Sequence, residues 1–269
     1  MTAVDDRDAA PAGADGHAPL VLPVSLGPGV DGWFTGRAPA DAPPPAVGAA
    51  GNLSHRRPHE PPRLAADRRA AFGRMGLDAG DVVWMQQVHG AEVAVVDEHT
   101  PRGAEVRGVD ALVTVQADRP IAVQVADCVP VLLSSPAGVV AVAHAGRRGV
   151  ELGIVPATLA AMEDLGAERA SVAAAIGPAI GGCCYEVPSE MREDLSDDHP
   201  VASGTTSWGT PSLDLPAAVA EVLRDAGVGD VARVGSCTRC DDEDRWFSHR
   251  ADPTTGRQVG VVVRRGGQA

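Results

Sequence analysis

WMQQVHG (84–90), DALVT (110–114), ADCVPVLL (126–133) and AVAHAGRRG (141–149) are short polar inserts in apolar, strand-like sequence. Around them, residues 82–85, 93–96, 111–115, 121–125, 129–133 and 139–143 predict strands joined by turns. Several are apolar at nearly every position, so both of their faces should be covered. Downstream, 154–165 predicts a helix with Leu159 and Met162 on its apolar side. A strand over 171–176, helices over 189–195 and 216–226, and late strands over 231–235 and 259–263 complete the pattern. Upstream lie strands over 20–26 and 33–35, a Pro/Gly/Ala loop over 38–51, and a helix over 62–75 stopped by Gly76. There is no internal repeat and no linker separating two cores. The expected fold class is therefore α+β: one catalytic domain over 20–269, with mixed β-sheets flanked by helices. Residues 1–19, rich in Ala, Asp, Gly and Pro without periodicity, predict a disordered tail.

Composition narrows the function. The 269-residue chain carries a net charge of −13 and shows no basic patch, so nucleic acid is not an expected partner. All 23 of its Lys-plus-Arg residues are Arg. The absence of Lys excludes a Walker phosphate loop, a Schiff-base lysine and a lysine general base. No stretch reaches the roughly 18 apolar residues of a membrane span. The acidic N-terminus lacks a basic-then-apolar signal pattern, so a cytoplasmic location with no membrane partner is expected. Aromatics make up 3% of the chain, leaving the core to Val, Ala, Leu and Ile.

Three inserts supply one metal-ligand side chain each: His89 at a strand end, Cys128 between two apolar strands, and His144 where a strand leaves into a glycine turn. Two imidazoles and a thiolate form the ligand set of a catalytic zinc with an open fourth position. Singly, however, such residues are more often surface or core residues, and their spacing matches no local zinc motif. The residues alone leave both readings open. The other cysteines are Cys183, Cys184, Cys237 and Cys240. An odd total and an adjacent pair argue against a secreted disulfide framework. Cys237-Thr-Arg-Cys240 is a C-x-x-C, but a zinc ribbon needs a second pair, and Cys183-Cys184 lacks that spacing. The adjacent pair reads as small residues packing a turn.

Taken together, QVHG, DALVT, ADCVPVLL, AHAGRRG, IGPAIGGCCYEV (176–187) and CTRCDDEDRWFSHRADPTTGR (237–257) resemble one family over roughly 33–263. It is known as the multicopper polyphenol oxidase (laccase), peptidoglycan editing factor or laccase-domain purine nucleoside phosphorylase family. The resemblance implies a single α+β domain, distantly similar to glutamine-deamidating bacterial toxins. It implies a zinc held by His89, Cys128 and His144, with copper as the other candidate metal. It also implies cleavage of adenosine, guanosine, inosine and methylthioadenosine with phosphate to a base and a pentose 1-phosphate, and deamination of adenosine. The expected partners are therefore a small nucleoside and phosphate, and the expected assembly is a monomer or small homo-oligomer.

Zinc brings bound water to a pKa near about 7, and the resulting hydroxide suits deamination. Cys128 and His144 are accordingly expected to be catalytic. Asp127, beside Cys128, is the carboxylate placed to offset charge on the sugar during glycosidic cleavage, or else to bond a neighbouring turn. Arg148, close in sequence to His144, and Arg37 in WFTGR and Asn52 in GNLS, which match family positions, are expected to meet phosphate or substrate. Departures are Arg147 where the family has Trp, His249 where it has Tyr, and a divergent 38–63 region. Alternatives are a hydrolase with Cys128 as nucleophile and His144 as base, or a binding role in editing cell-wall precursors. A copper oxidase ranks last, because one Cys and few His cannot build a multicopper set.

Overall fold

A computed structural model describes residues 18–267. The expected tail falls almost wholly outside them. Two sheets form the centre. The six-stranded sheet is mixed and runs β13(Asp230–Arg233), β10(Ala173–Ile176), β8(Val129–Ser134), β9(Val140–Ala145), β6(Ala111–Thr114), β4(Val93–Val95). The antiparallel four-stranded sheet runs β1(Val21–Ser25), β2(Val30–Thr35), β14(Gln258–Arg264), β7(Ile121–Val125).

The period of two in these strands sorts side chains between layers. Along β9, Val140 and Val142 join the core between the sheets, where they pack with Phe34, Leu112, Ile121 and Leu132. Ala141, Ala143 and Ala145 face the other way, with residues of α3(Ile154–Asp164) and α5(Leu215–Asp225). Along β14, Val262 faces the intersheet core, whereas Val259 and Val261 meet Phe72 and Met75 at and beside α1(Pro61–Arg74). The order is thus helix, sheet, sheet, helices. Both sheets are covered on both faces, as their unbroken apolar runs require. His144 has the parity of Val140 and Val142, so it emerges at the end of the intersheet core.

The α+β fold and nearly all the expected elements are present, with ends shifted by up to three residues. The structure adds elements that apolar patterning does not reveal. These are β5(Glu105–Arg107), which pairs in parallel with β3(Trp84–Gln86), the hairpin β11(Ser203–Thr205) and β12(Pro211–Leu213), and α2(Arg147–Glu151). Their strands have three residues each, too short to show a period. AGRRG reads as a glycine turn, yet Gly146 serves as the N-cap of α2. The helix over 189–195 continues as α4(Ser189–Asp198). No helix among the described residues is long and apolar enough to cross a membrane.

Candidate metal centre

Asp110 organises the site. It begins DALVT and is fully buried. Its carboxylate accepts the backbone N–H groups of Val88 (3.1 Å), His89 (3.0 Å) and Gly90 (2.8 Å), and it bonds His144 Nδ1 at 2.7 Å. Three successive amides converging on one carboxylate hold QVHG in a tight turn. His89 sits there at φ 60°, a left-handed conformation that a side chain adopts only when its surroundings hold it. One carboxylate therefore sets the directions of two imidazoles. Burial would raise its pKa, but the His144 bond and the amides outweigh burial and hold it below the usual carboxylate value.

With Nδ1 of His144 bonded to Asp110, its Nε2 remains for a metal, an arrangement common to ligating histidines. The ligand atoms of His89, Cys128 and His144 lie within 4.8 Å of one another. Cys128 Sγ is 3.8 Å from His89 Nε2, and the two imidazoles meet edge-on with centroids 4.7 Å apart. Burial alone would push the Cys128 thiol up, but His144 and His89 bring it down to about 6. The reciprocal attraction raises His144 to about 9 against the burial that would lower it. The pair thus favours a thiolate beside an imidazolium, a local charge pattern that a divalent cation can replace.

Gly146 makes room for this set. A Cβ there would stand 2.8 Å from His89 Cδ2 and 3.2 Å from Cys128 Sγ. Gly146→Ala is expected to keep the fold but weaken metal binding roughly 10- to 100-fold, the usual effect of disturbing the groups around ligands. Competition against a colorimetric chelator, with circular dichroism as the folding control, measures it.

The triad opens into a cavity of about 310 Å³ whose wall also includes Arg56, Arg57, Gln124, His249 and Arg257. Gln124 is largely buried, and its Nε2 has no hydrogen-bond partner among the described residues. Arg57 and Arg257 spend their hydrogen bonds on backbone carbonyls of 253–256. Burial first, and then the cation of Arg57, shift the Arg257 pKa down. By contrast, Arg56 is neutralised by Glu105 through two bonds of 3.0 and 2.6 Å.

The structure gathers His89, Cys128 and His144 as expected, and it brings in His249. It does not bring in the other sequence candidates. Arg37 lines a separate cavity and pairs with Asp244 at 3.2 Å. Asn52 is buried and fixes its own loop, bonding the backbone of Ser54 and Arg257. Arg148 is exposed on α2. Asp127, at φ 84°, accepts Thr238 Oγ1 and the N–H of Arg250, each at 2.6 Å. It therefore fixes the turn that presents Cys128. Sequence reasoning missed Asp110, whose motif it quoted, and Arg57, which lies in the divergent region.

Residues 33–265 match the family described as multi-copper polyphenol oxidoreductase laccase. The chain belongs to this laccase family. A purine nucleoside phosphorylase of Streptomyces coelicolor is 49% identical over 205 residues, covering 76% of this chain and 83% of that protein. An adenosine deaminase from an unknown prokaryote is 35% identical, covering 71% of this chain and 78% of its own. Among solved structures, a Bacillus licheniformis hypothetical protein, YfiH, superposes with a TM-score of 0.79. It is 27% identical and covers 93% of this chain and 98% of its own. Relatives with enzyme names support an enzymatic role for the chain.

Proposed function

We propose that the chain is a zinc-dependent purine nucleoside phosphorylase that also deaminates adenosine, with His89, Cys128 and His144 holding the metal. The observation that carries this reading is the opening of a two-His, one-Cys set into a cavity whose wall holds two guanidinium groups bonded, among the described residues, to backbone carbonyls. The donor set fits zinc: three side-chain ligands, one of them locked by a buried carboxylate, and an open side facing the cavity. When bound, zinc supplies a Lewis acid and, at neutral pH, hydroxide.

The chain's own residues do the rest. Arg57 and Arg257 clamp phosphate by charge-assisted hydrogen bonds. The unpartnered Gln124 amide donates to an oxygen of the nucleoside, and His249 lines the wall the base would meet. Phosphate oxygen bonds to the pentose C1′ as the C1′–N bond breaks, the electron pair of that bond leaves with the purine, and the proton that phosphate carried ends on the purine nitrogen. Asp127 acts through the turn it holds. The names of the relatives support nucleosides as substrates.

Arg57→Gln tests the phosphate clamp. The KM for phosphate should rise about 10- to 100-fold, the loss of one charged hydrogen bond, while the KM for inosine changes little. Equal changes in both, or none, would remove Arg57 from the clamp.

The thiolate–imidazolium pairing of Cys128 and His144 favours one second reading, a cysteine hydrolase. In that case chelators leave the rate unchanged and thiol alkylation abolishes it.

A further inference from the structure

The other four cysteines converge as well. Cys183 and Cys184 lie in the GGCC turn after β10, and Cys237 and Cys240 follow β13. Because β10 and β13 are parallel neighbours, both loops leave the same end of the sheet. An isolated bridge between Ala179 and Cys237 and a 3.1 Å bond from Thr238 N–H to Ala179 O zip them together. All four are free thiols. Their sulfurs lie within 4.8 Å of one another, with Cys183 and Cys240 at 3.6 Å. Four thiolates around a tetrahedral zinc at about 2.3 Å stand roughly 3.8 Å apart.

The backbone adds a second observation. Cys237 Sγ, on one loop, accepts the N–H of Gly181, on the other, at 3.3 Å. The sequence expectation that the adjacent pair merely packs a turn missed this, because convergence depends on the pairing of β10 with β13 and not on spacing along the chain.

We propose that Cys183, Cys184, Cys237 and Cys240 hold a second zinc ion, in a closed four-thiolate site that is structural. Four protein ligands leave no open position for water or substrate. Its place in the fold gives it a task. The N–H of Ile180 bonds Asp127 O at 3.0 Å, and Thr238 Oγ1 bonds the Asp127 carboxylate at 2.6 Å. Each loop of the cluster thus grips Asp127, the residue before Cys128. The second ion ties those loops together and so steadies the turn that presents the thiolate of the first site. Cys240 is exposed and Cys183 and Cys237 are half-buried, so the ion is open to displacement by a thiol reagent.

The test is metal content by mass spectrometry on the full chain, purified under reducing conditions without added metal. About two zinc ions per chain are expected in the wild type. About one should remain in Cys128→Ala, and about one in the double variant Cys183→Ser/Cys240→Ser. Should the double variant fail to fold, Cys128→Ala loaded with cobalt reads the second site alone. It should show the strong thiolate-to-cobalt charge-transfer absorption of a tetrahedral four-sulfur site. Cys128→Ala protein without metal or without the cobalt–thiolate band would overturn the proposal, as would a zinc content that the double variant leaves unchanged. A mass deficit showing these cysteines joined as disulfides would overturn it too.

Discussion

Cys128→Ala is expected to lose the metal of the triad and to reduce phosphate-dependent release of purine base roughly 10³-fold or more. That factor corresponds to about 4 kcal/mol of transition-state stabilisation, within the several kcal/mol that a Lewis acid contributes. The loss should be specific. Cys128 is half-buried at the cavity, packs only at the margin of the intersheet core, and is held from behind by the bonds of Asp127. Removing its sulfur therefore leaves the core intact, and once chelation has stripped metal from both proteins thermal unfolding should shift little. Metal analysis, base release and a melting curve on one preparation separate these effects. Full activity in the variant would remove Cys128 from the chemistry altogether.

Asp110→Asn should be costly in two ways. The buried carboxylate accepts three backbone amides and bonds His144, and an Asn amide can offer only one oxygen to those four donors. Its NH2 group would then face amide N–H groups. Breaking a buried charged pair in this way costs about 3–5 kcal/mol of stability. The QVHG turn loses its anchor and His144 its fixed orientation, so zinc affinity should also fall roughly 10- to 100-fold. Denaturant unfolding and a zinc competition assay measure the two effects separately. His144→Ala serves as the control, since it loses the ligand but leaves the amides of 88–90 paired with Asp110. Unchanged stability in Asp110→Asn would show that the turn does not depend on the carboxylate.

The layers of the fold were legible because strands covered on both faces are apolar throughout. Runs such as IAVQV (121–125) and VPVLLS (129–134) carry that signal openly. The elements that escaped, β5, β11, β12 and α2, are too short to show a period. The triad was legible in part, because His89, Cys128 and His144 each interrupt an apolar run. Asp110 was not. Its partners lie some twenty residues away in the 88–90 turn, and only the alignment of β4, β6 and β9 brings them together. Arg57 was hidden for another reason, since its segment departs from the family pattern and only the fold carries it to the cavity. The four-cysteine cluster was hidden because adjacent cysteines have no recognised ligand spacing until the β10–β13 pairing closes them on the C-x-x-C.

Product analysis of inosine turnover across a phosphate titration tests the nucleoside phosphorylase reading most directly. The wild type should release hypoxanthine at a rate that saturates with phosphate, yield pentose 1-phosphate in equal amount, and stop when chelation empties the triad. Free pentose formed at a rate independent of phosphate, with no response to the chelator and complete inhibition by thiol alkylation, would contradict it and establish Cys128 as the nucleophile of a hydrolase.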